Sequence, residues 1–139
     1  MAGFSFPTQR ALYEALTSAS IAGGRIHDHA PSDVVFPYVE IGESQAIPDD
    51  TSAAGGDDDG VSETFTLHVW DRPNRTGGHR GGKQVREILS SIYTVLHGAA
   101  LTVSGRASAL AWVRSDRVMR DPDGITVHGV VDVEIIHRS

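Results

Sequence analysis

The chain has 139 residues, of which 40% are hydrophobic, and it carries a formal net charge of -6 at pH 7. This length predicts one domain over residues 1–139 with a single hydrophobic core. The absence of cysteine excludes disulfides, thiolate nucleophiles and cysteine-based metal sites. The negative charge disfavours a protein that grips nucleic acid over its whole surface. No apolar run is long enough to span a bilayer and no signal-peptide pattern is present, so we expect no membrane partner.

The first elements expected along the chain are a helix and a strand. The helix begins near Phe6, because the proline that follows is well tolerated in a first turn. It ends at Gly23, and residues 36–42 then read as a strand whose proline stands at its start. The apolar stripe of this helix consists of Ala11, Leu12, Ala15, Leu16 and Ala19.

Residues 43–60 predict a long polar loop that joins this strand to the next one in a hairpin. A calcium-binding loop is excluded, because the D-x-D-x-D-G pattern ending at Gly60 would start at Gly55 and place Thr66 where a glutamate is needed. We interpret the segment as solvated, and a partner-binding or charge-screening role stays open. Its acidic residues are Asp49, Asp50, Asp57, Asp58 and Asp59.

The centre of the sequence predicts a strand, a glycine-rich turn and a helix. Residues 61–71 alternate between apolar and polar side chains, which is typical of a half-buried strand. After the turn, apolar residues recur at helical spacing until Gly98 ends the helix. The buried helix stripe is expected to consist of Val85, Ile88, Leu89, Ile92 and Leu96.

The glycine-rich turn also contains a partial phosphate-binding motif. Gly77 to Lys83 reads G-x-x-x-x-G-K between the strand and the helix. However, Gln84 stands where a magnesium-binding serine or threonine is required, and the connection from Trp70 is too long for the tight turn. A nucleotide-binding enzyme that uses this loop is therefore kept only as a remote alternative.

Two long strands are expected in the last third of the chain, after a short segment at residues 101–103. They cover residues 110–119 and 125–137, and the sequence from Asp121 to Gly124 is a strong turn signal between them. The resulting fold prediction is α+β: a single domain with a four-stranded, mainly antiparallel sheet and two helices on one face, in the order α-β-β-α-β-β.

No motif in the sequence predicts chemistry. His27 and His29 point the same way from an extended segment and would form half of a metal site, but no third ligand has a suitable spacing. His68 and His128 read as ordinary sheet residues. The seven histidines raise the hypothesis that oligomer stability depends on pH. There is no G-x-S-x-G elbow and no recognisable acid–base pair, so we expect no enzyme activity, catalytic residue, metal or cofactor.

Four segments in order resemble one family over essentially the whole chain. They are residues 36–42, residues 68–72 with the following glycine-containing turn, Arg117 before the turn at Asp123, and residues 126–131. The sequence resembles the phage tail-completion family, once a domain of unknown function, which includes tail terminators of long-tailed phages and gene transfer agents. It departs from the family at Asp71, where serine is common, and in the longer acidic loop. The motif residues implied to be structural are Phe36, Pro37, Tyr38, Gly42, Trp70, Asp123, Gly124, His128 and Gly129.

The resemblance implies a virion structural protein. Such proteins form a ring, typically a hexamer, that caps the tail tube, ends its polymerisation and connects the tail to the head. The implied partners are other copies, the tail tube protein, a head-completion or connector protein, and DNA that passes through the lumen without sequence-specific binding. The implied place is the head-proximal end of the tail, after assembly in the bacterial cytoplasm. A head-side adaptor or tail-tube component of the same particle is the alternative.

Charged residues take candidate roles under this resemblance. The acidic residues between Asp49 and Asp59 are expected to face the ring lumen or an adjoining ring, where they would repel DNA phosphates. The candidates for contacts with acidic surfaces of neighbouring subunits or the tube are Arg72, Arg75, Arg80 and Lys83.

Overall fold

The computed structural model describes residues 5–49, 60–73 and 82–139. Neither of the two α-helices in these ranges is long and apolar enough to cross a membrane. A short 3-10 turn at Ile21–Gly24 follows the first helix. The helices are α1 (Ser5–Ser18) and α2 (Lys83–Leu96), and the strands are β1 (Ile26–His27), β2 (Tyr38–Asp49), β3 (Gly60–Asp71), β4 (Ala99–Ala100), β5 (Ser108–Arg120) and β6 (Val127–Arg138).

The strands form one mixed sheet in the order β1-β2-β3-β6-β5-β4, curved into a half-barrel. β1 lies parallel to β2, whereas the other pairs are antiparallel. The prediction of a four-stranded sheet in the order α-β-β-α-β-β is therefore wrong. Each missed strand has only two residues, Ile26–His27 and Ala99–Ala100. A two-residue strand is too short to produce an alternating pattern of apolar and polar side chains.

β2 extends well into the segment that was expected to be a loop. Its residues 44–49 pair with β3 from Ser44 opposite Phe65 to Asp49 opposite Gly60. Residues 43–48 are exposed on both faces of the sheet. Their side chains therefore show no alternation of apolar and polar residues, and the sequence does not reveal the backbone pairing. Pro48 is tolerated because it stands in an edge strand.

The helices and one face of the sheet enclose the core. α2 buries the whole apolar stripe from Val85 to Leu96, and Leu12 and Leu16 of α1 are fully buried beside it. Gly129 of β6 sets the approach of α2 to the sheet, because a Cβ atom there would lie 2.7 Å from Cγ1 of Val85. The second face of the sheet is consequently left open to solvent, and this open face is the first place to look for function.

Candidate functional site

The open face of the sheet carries polar and aromatic side chains on its central strands. Neighbouring residues of a strand point to opposite faces, so the buried Leu67 and Val69 place His68 and Trp70 on the open face. In β6 the same alternation places His128 there, directly opposite Trp70. The sequence pattern put these side chains on the polar side of their strands, and the strand register brings them into contact.

Four of these side chains form a continuous row, which we call the open-face histidine row: Trp70, His128, His68 and Glu43. The rings of Trp70 and His128 are stacked, with centroids 3.7 Å apart and planes inclined by 7°. Nε2 of His128 lies 2.8 Å from Nδ1 of His68, and Nε2 of His68 lies 2.8 Å from Oε1 of Glu43. Because a carboxylate only accepts hydrogen bonds, His68 donates to Glu43 from Nε2 and, when neutral, accepts from His128 at Nδ1.

The surroundings shift the pKa of two members of this row. The hydrogen bond from His68 lowers the pKa of Glu43, so its carboxyl is ionised at neutral pH. Burial against its neighbours, and then the nearby His68, hold the pKa of His128 below its usual 6.5. The row therefore contains one histidine, His128, whose charged form is disfavoured, and it ends in the exposed carboxylate of Glu43.

Further polar pairs cross the open face between β3, β6 and β5. Oγ1 of Thr66 donates to Asp132 over 2.8 Å, and Oγ of Ser115 donates to the other carboxylate oxygen over 3.1 Å. Glu134 accepts from Ser62 and pairs with Arg114 at 2.6 Å, and both contacts lower the pKa of its carboxyl. These contacts pair polar side chains of three neighbouring strands across the open face.

The turn between β5 and β6 is built around Asp123. Its Oδ1 accepts from the backbone amides of Ile125 and Thr126, both over 2.8 Å, and its Oδ2 accepts from Oγ1 of Thr126 over 2.6 Å. These bonds lower the pKa of Asp123 to about 2. The next residue, Gly124, has φ of +72°, which favours glycine.

Arg72 ties this turn to the start of β2. Its Nε donates to Oγ1 of Thr126 over 3.1 Å, and its guanidinium carbon lies 4.8 Å from the centroid of the Phe36 ring. The Phe36 ring in turn lies 5.3 Å from that of Tyr38. The motif residues around Phe36 and Asp123 thus belong to one connected set of contacts.

Sequence reasoning missed a buried polar cluster on the helix side of the sheet, which we call the buried cluster: Glu63, His137, Thr8 and Arg106. Oε1 of Glu63 accepts from Oγ1 of Thr8 and lies 2.7 Å from Nε2 of His137. Nε of Arg106 donates to Nδ1 of His137 over 2.8 Å. The signal for this cluster was Glu63, a charged residue on the apolar side of the β3 alternation.

The structure describes only part of the candidate charged sites. Asp49 is the last residue of β2, and Asp50, Asp57, Asp58, Asp59, Arg75 and Arg80 lie outside the described residues, as does most of the partial phosphate-binding motif. Lys83 begins α2 with its Nζ 3.9 Å from Oε1 of Glu87, whereas Arg72 is held by the turn contacts. The structure therefore places these two basic residues in separate contacts.

The described residues offer no metal cluster, and one cleft beside α2 is lined by Lys83, Arg86, Glu87, Ser90 and Ser91. No three histidine, aspartate or glutamate side chains within these ranges are grouped as metal ligands, and this includes His27 and His29. A cleft of about 400 Å³ between the 3-10 turn and α2 is lined only by apolar and hydroxyl side chains. The lining residues include Ala19, Ser20, Ile88, Ser91, Thr94 and Val95.

Known proteins that resemble this chain are parts of phage tails and phage-like particles. The sequence profile of the family described as tail completion protein gp17 matches residues 10–138. The tail completion protein gp17 of Bacillus phage SPP1 is 30% identical over 101 residues, which are 73% of this chain and 67% of that protein. The solved structure of SPP1 gp17 aligns with a TM-score of 0.55 and 26% identity, over 94% of this chain and 88% of the other.

A chain from the virion of a native gene transfer agent particle has the same fold. It aligns over 100% of both chains with a TM-score of 0.79, at 16% identity. The family match and the SPP1 relative define a structural component of phage-type tails. The chain belongs to the tail completion protein gp17 family.

Proposed function

We propose that this protein is a tail terminator. Copies form a closed ring, a hexamer, that caps the tail tube, ends its polymerisation and connects the tail to the head. The observation that carries the proposal is the family match over residues 10–138, which spans almost the whole chain. The protein acts as a single domain at the head-proximal end of the tail of a phage or gene transfer agent, after assembly in the bacterial cytoplasm.

The charge of the chain suits a ring through which DNA passes. Each copy contributes a formal charge of -6, and acidic side chains repel DNA phosphates instead of binding them. Asp49 ends β2 and Gly60 begins β3, so the acidic segment connects these two strands in the sequence. We place this segment on the lumen or against the adjoining ring, and DNA then slides past it without sequence-specific binding.

The two axial faces of the ring bind different partners. One face meets the last ring of the tail tube protein and the other meets a head-completion or connector protein. Arg72, Arg75, Arg80 and Lys83 are the basic residues assigned to acidic surfaces of neighbouring subunits or the tube. Reversing the charge of Lys83 tests one of these assignments without breaking the turn contacts of Arg72, because the described partner of Lys83 is the exposed Glu87.

Deleting the gene and restoring it in trans tests the proposal. Without the protein, particles are expected to carry tails of uncontrolled length that are not joined to heads, and the wild-type gene restores both. The Arg10→Ala variant is a matched control, because Arg10 is exposed on α1 and pairs only with the exposed Glu14 among its described contacts. Tails of normal length joined to heads in the deletion strain would overturn the proposal.

The alternatives within the same particle have their own measurement. A tail-tube component forms long polymers when purified, whereas a terminator stays a monomer or a closed ring, and a head-side adaptor leaves tail length unchanged when it is deleted. The remote alternative, a nucleotide-binding enzyme using Gly77 to Lys83, predicts a rise in melting temperature with ATP and magnesium. We expect no rise at millimolar nucleotide.

A further inference from the structure

The sheet ends in two long strand edges. β1 pairs only with Val39 and Glu40 of β2, and β4 pairs only with Leu110 and Ala111 of β5. Within the part of the chain that the structure describes, no strand pairs with the outer edge of β2 beyond Glu40 or with that of β5 beyond Ala111. Such edges are surfaces on which another chain can dock.

The two edges carry opposite charges. β2 contains Glu40, Glu43 and Asp49 and no basic residue, whereas β5 contains three arginines and one aspartate. We call residues 41–49 the acidic edge and residues 114–120 the basic edge. The side chain of Glu43 is 72% exposed and that of Arg114 is 51% exposed. Arg117 is also exposed, so both signs of charge are accessible from outside.

Each edge also exposes apolar side chains. Ile47 on the acidic edge is 57% exposed. On the β5 side, Leu110 is 44% exposed, Met119 is 37% exposed and Tyr93 of α2 is 49% exposed. Tyr93 stacks on His97, which contacts Trp112 edge-on, so an aromatic group borders this side of the sheet. Burial of such side chains in a contact supplies a driving force that charge alone does not.

We propose that the acidic edge of one copy binds the basic edge of the next copy. This inference rests on the proposed ring function and assigns the surface that joins its subunits. The two edges differ and lie on opposite sides of the sheet, so the contact is heterologous and repeats from copy to copy until the ring closes. A contact between two acidic edges brings like charges together and stops at a dimer.

The contact is made by side chains more than by a long strand ladder. Both edge strands have a register shift, between Ile41 and Ser44 in β2 and between Val113 and Ser115 in β5. Such bulges increase the local twist and shorten the stretch over which two edges can pair. Glu43 lies at the first bulge and Arg114 at the second. Their described partners are His68 and Glu134, but both side chains stay partly exposed, so together with the exposed Arg117 they are available to the neighbouring copy.

Cross-linking in assembled particles tests the geometry, because the chain has no cysteine of its own. The double variant Gln45→Cys with Ser115→Cys places one thiol on each edge, and a short flexible bis-maleimide can link them in several registers of the two edges. We expect a ladder of linked copies up to the full ring on denaturing gels. The control replaces Gln45→Cys with Ser18→Cys, at an exposed position on α1, and should stay unlinked. An unlinked double variant in particles with joined tails would overturn the proposed contact.

Charge reversal tests whether electrostatic attraction between the acidic edge and the basic edge contributes to the contact. Glu43→Arg and Arg117→Glu should each reduce the yield of joined particles at least about tenfold, because they place like charges in the contact. The combined variant restores opposite charges and should recover most of the yield. Glu43→Ala removes the acceptor for His68 without adding a positive charge and therefore controls for loss of that hydrogen bond. Full yield with both single reversals would overturn this contact and leave the terminator function standing, whereas normal tails in the deletion strain would overturn the function itself.

Discussion

Two histidine–glutamate pairs, each with one member on β3, have nearly the same geometry in opposite surroundings. Nε2 of His137 lies 2.7 Å from Oε1 of Glu63, and Nε2 of His68 lies 2.8 Å from Oε1 of Glu43. The first pair is buried, with side chains that are 0% and 1% exposed. The second pair faces solvent, with side chains that are 20% and 72% exposed. At nearly equal distances, the solvent exposure of the pair decides whether it stabilises the fold or is accessible to another protein.

The buried pair is fixed by its neighbours. Arg106 has only donors, so Nδ1 of His137 accepts from it and the ring proton stays on Nε2, which donates to Glu63. Thr8 brings α1 into the same cluster. Oε2 of Glu63 is buried without a hydrogen-bond partner among the described residues, so the cluster already bears a desolvation cost. Removal of one member therefore leaves several groups unsatisfied at once.

The largest effect should follow from Glu63→Ala. We expect the free energy of unfolding to fall by about 3–5 kcal/mol, because Thr8 and His137 lose their shared acceptor in a site that water does not reach. Urea unfolding at pH 7 measures the loss. Glu63→Gln retains an acceptor for both donors and should lose less. Equal losses for the two variants would show that side-chain volume, and not the polar contact, matters there.

The next effect compares the two faces of the sheet, because each of two Gly→Ala substitutions adds one methyl group to a different face. Gly129→Ala places a Cβ atom 2.7 Å from Val85 on the helix side and should cost about 1–3 kcal/mol, because α2 must move. Gly42→Ala places a Cβ atom 2.7 Å from the His68 ring, which can turn towards solvent, although the carbonyl oxygen of Thr66 at 3.0 Å limits the space. Thermal unfolding should rank Gly129→Ala as the more damaging, and the reverse order would contradict this account.

The pH dependence of stability sharpens the comparison on the open side. The folded-state pKa of His128 lies below its unfolded value of 6.5, so its contribution to stability is present above pH 6.5 and is lost as the pH falls through the folded-state pKa. We expect the free energy of unfolding to decrease as the pH falls from 7 to 5. His128→Gln should show a smaller decrease, and an identical pH profile in the variant would exclude this role for His128.

The smallest effect should come from Glu43→Gln. The carboxylate is mostly exposed, so losing its charge should change the free energy of unfolding by about 0–1 kcal/mol. Chemical unfolding measured beside Glu63→Ala checks this directly. A loss as large as that of the buried variant would erase the difference between the two pairs.

Side-chain periodicity determined how much of this fold the sequence could predict. The stripe from Val85 to Leu96 is buried as its helical spacing indicated. The β3 pattern likewise placed His68 on the polar face. Residues 43–49 of β2 and the two-residue strands gave no such signal, because residues 43–48 are all exposed and a strand of two residues is too short to show alternation.

The contacts of the candidate sites depended on information that lies far apart in the chain. The sequence pattern put Trp70 and His128 on polar strand faces, but only the register between β3 and β6 stacks one ring on the other. Glu63 and His137 are separated by 74 residues, so no local spacing links them. The acidic residues from Asp50 to Asp59 lie outside the described residues, and their assignment to the lumen stays a prediction.

The register shift in the acidic edge also affects how the chains behave before a particle is assembled. A strand edge that is twisted, charged at Glu43 and interrupted by Pro48 is a poor template for fibre growth. Freshly synthesised chains should therefore stay dispersed at high concentration and not stack into aggregates. Under the proposed terminator function, dispersed chains would then remain available until a finished tube binds them, and the irregular backbone of β2 would help to set when assembly begins.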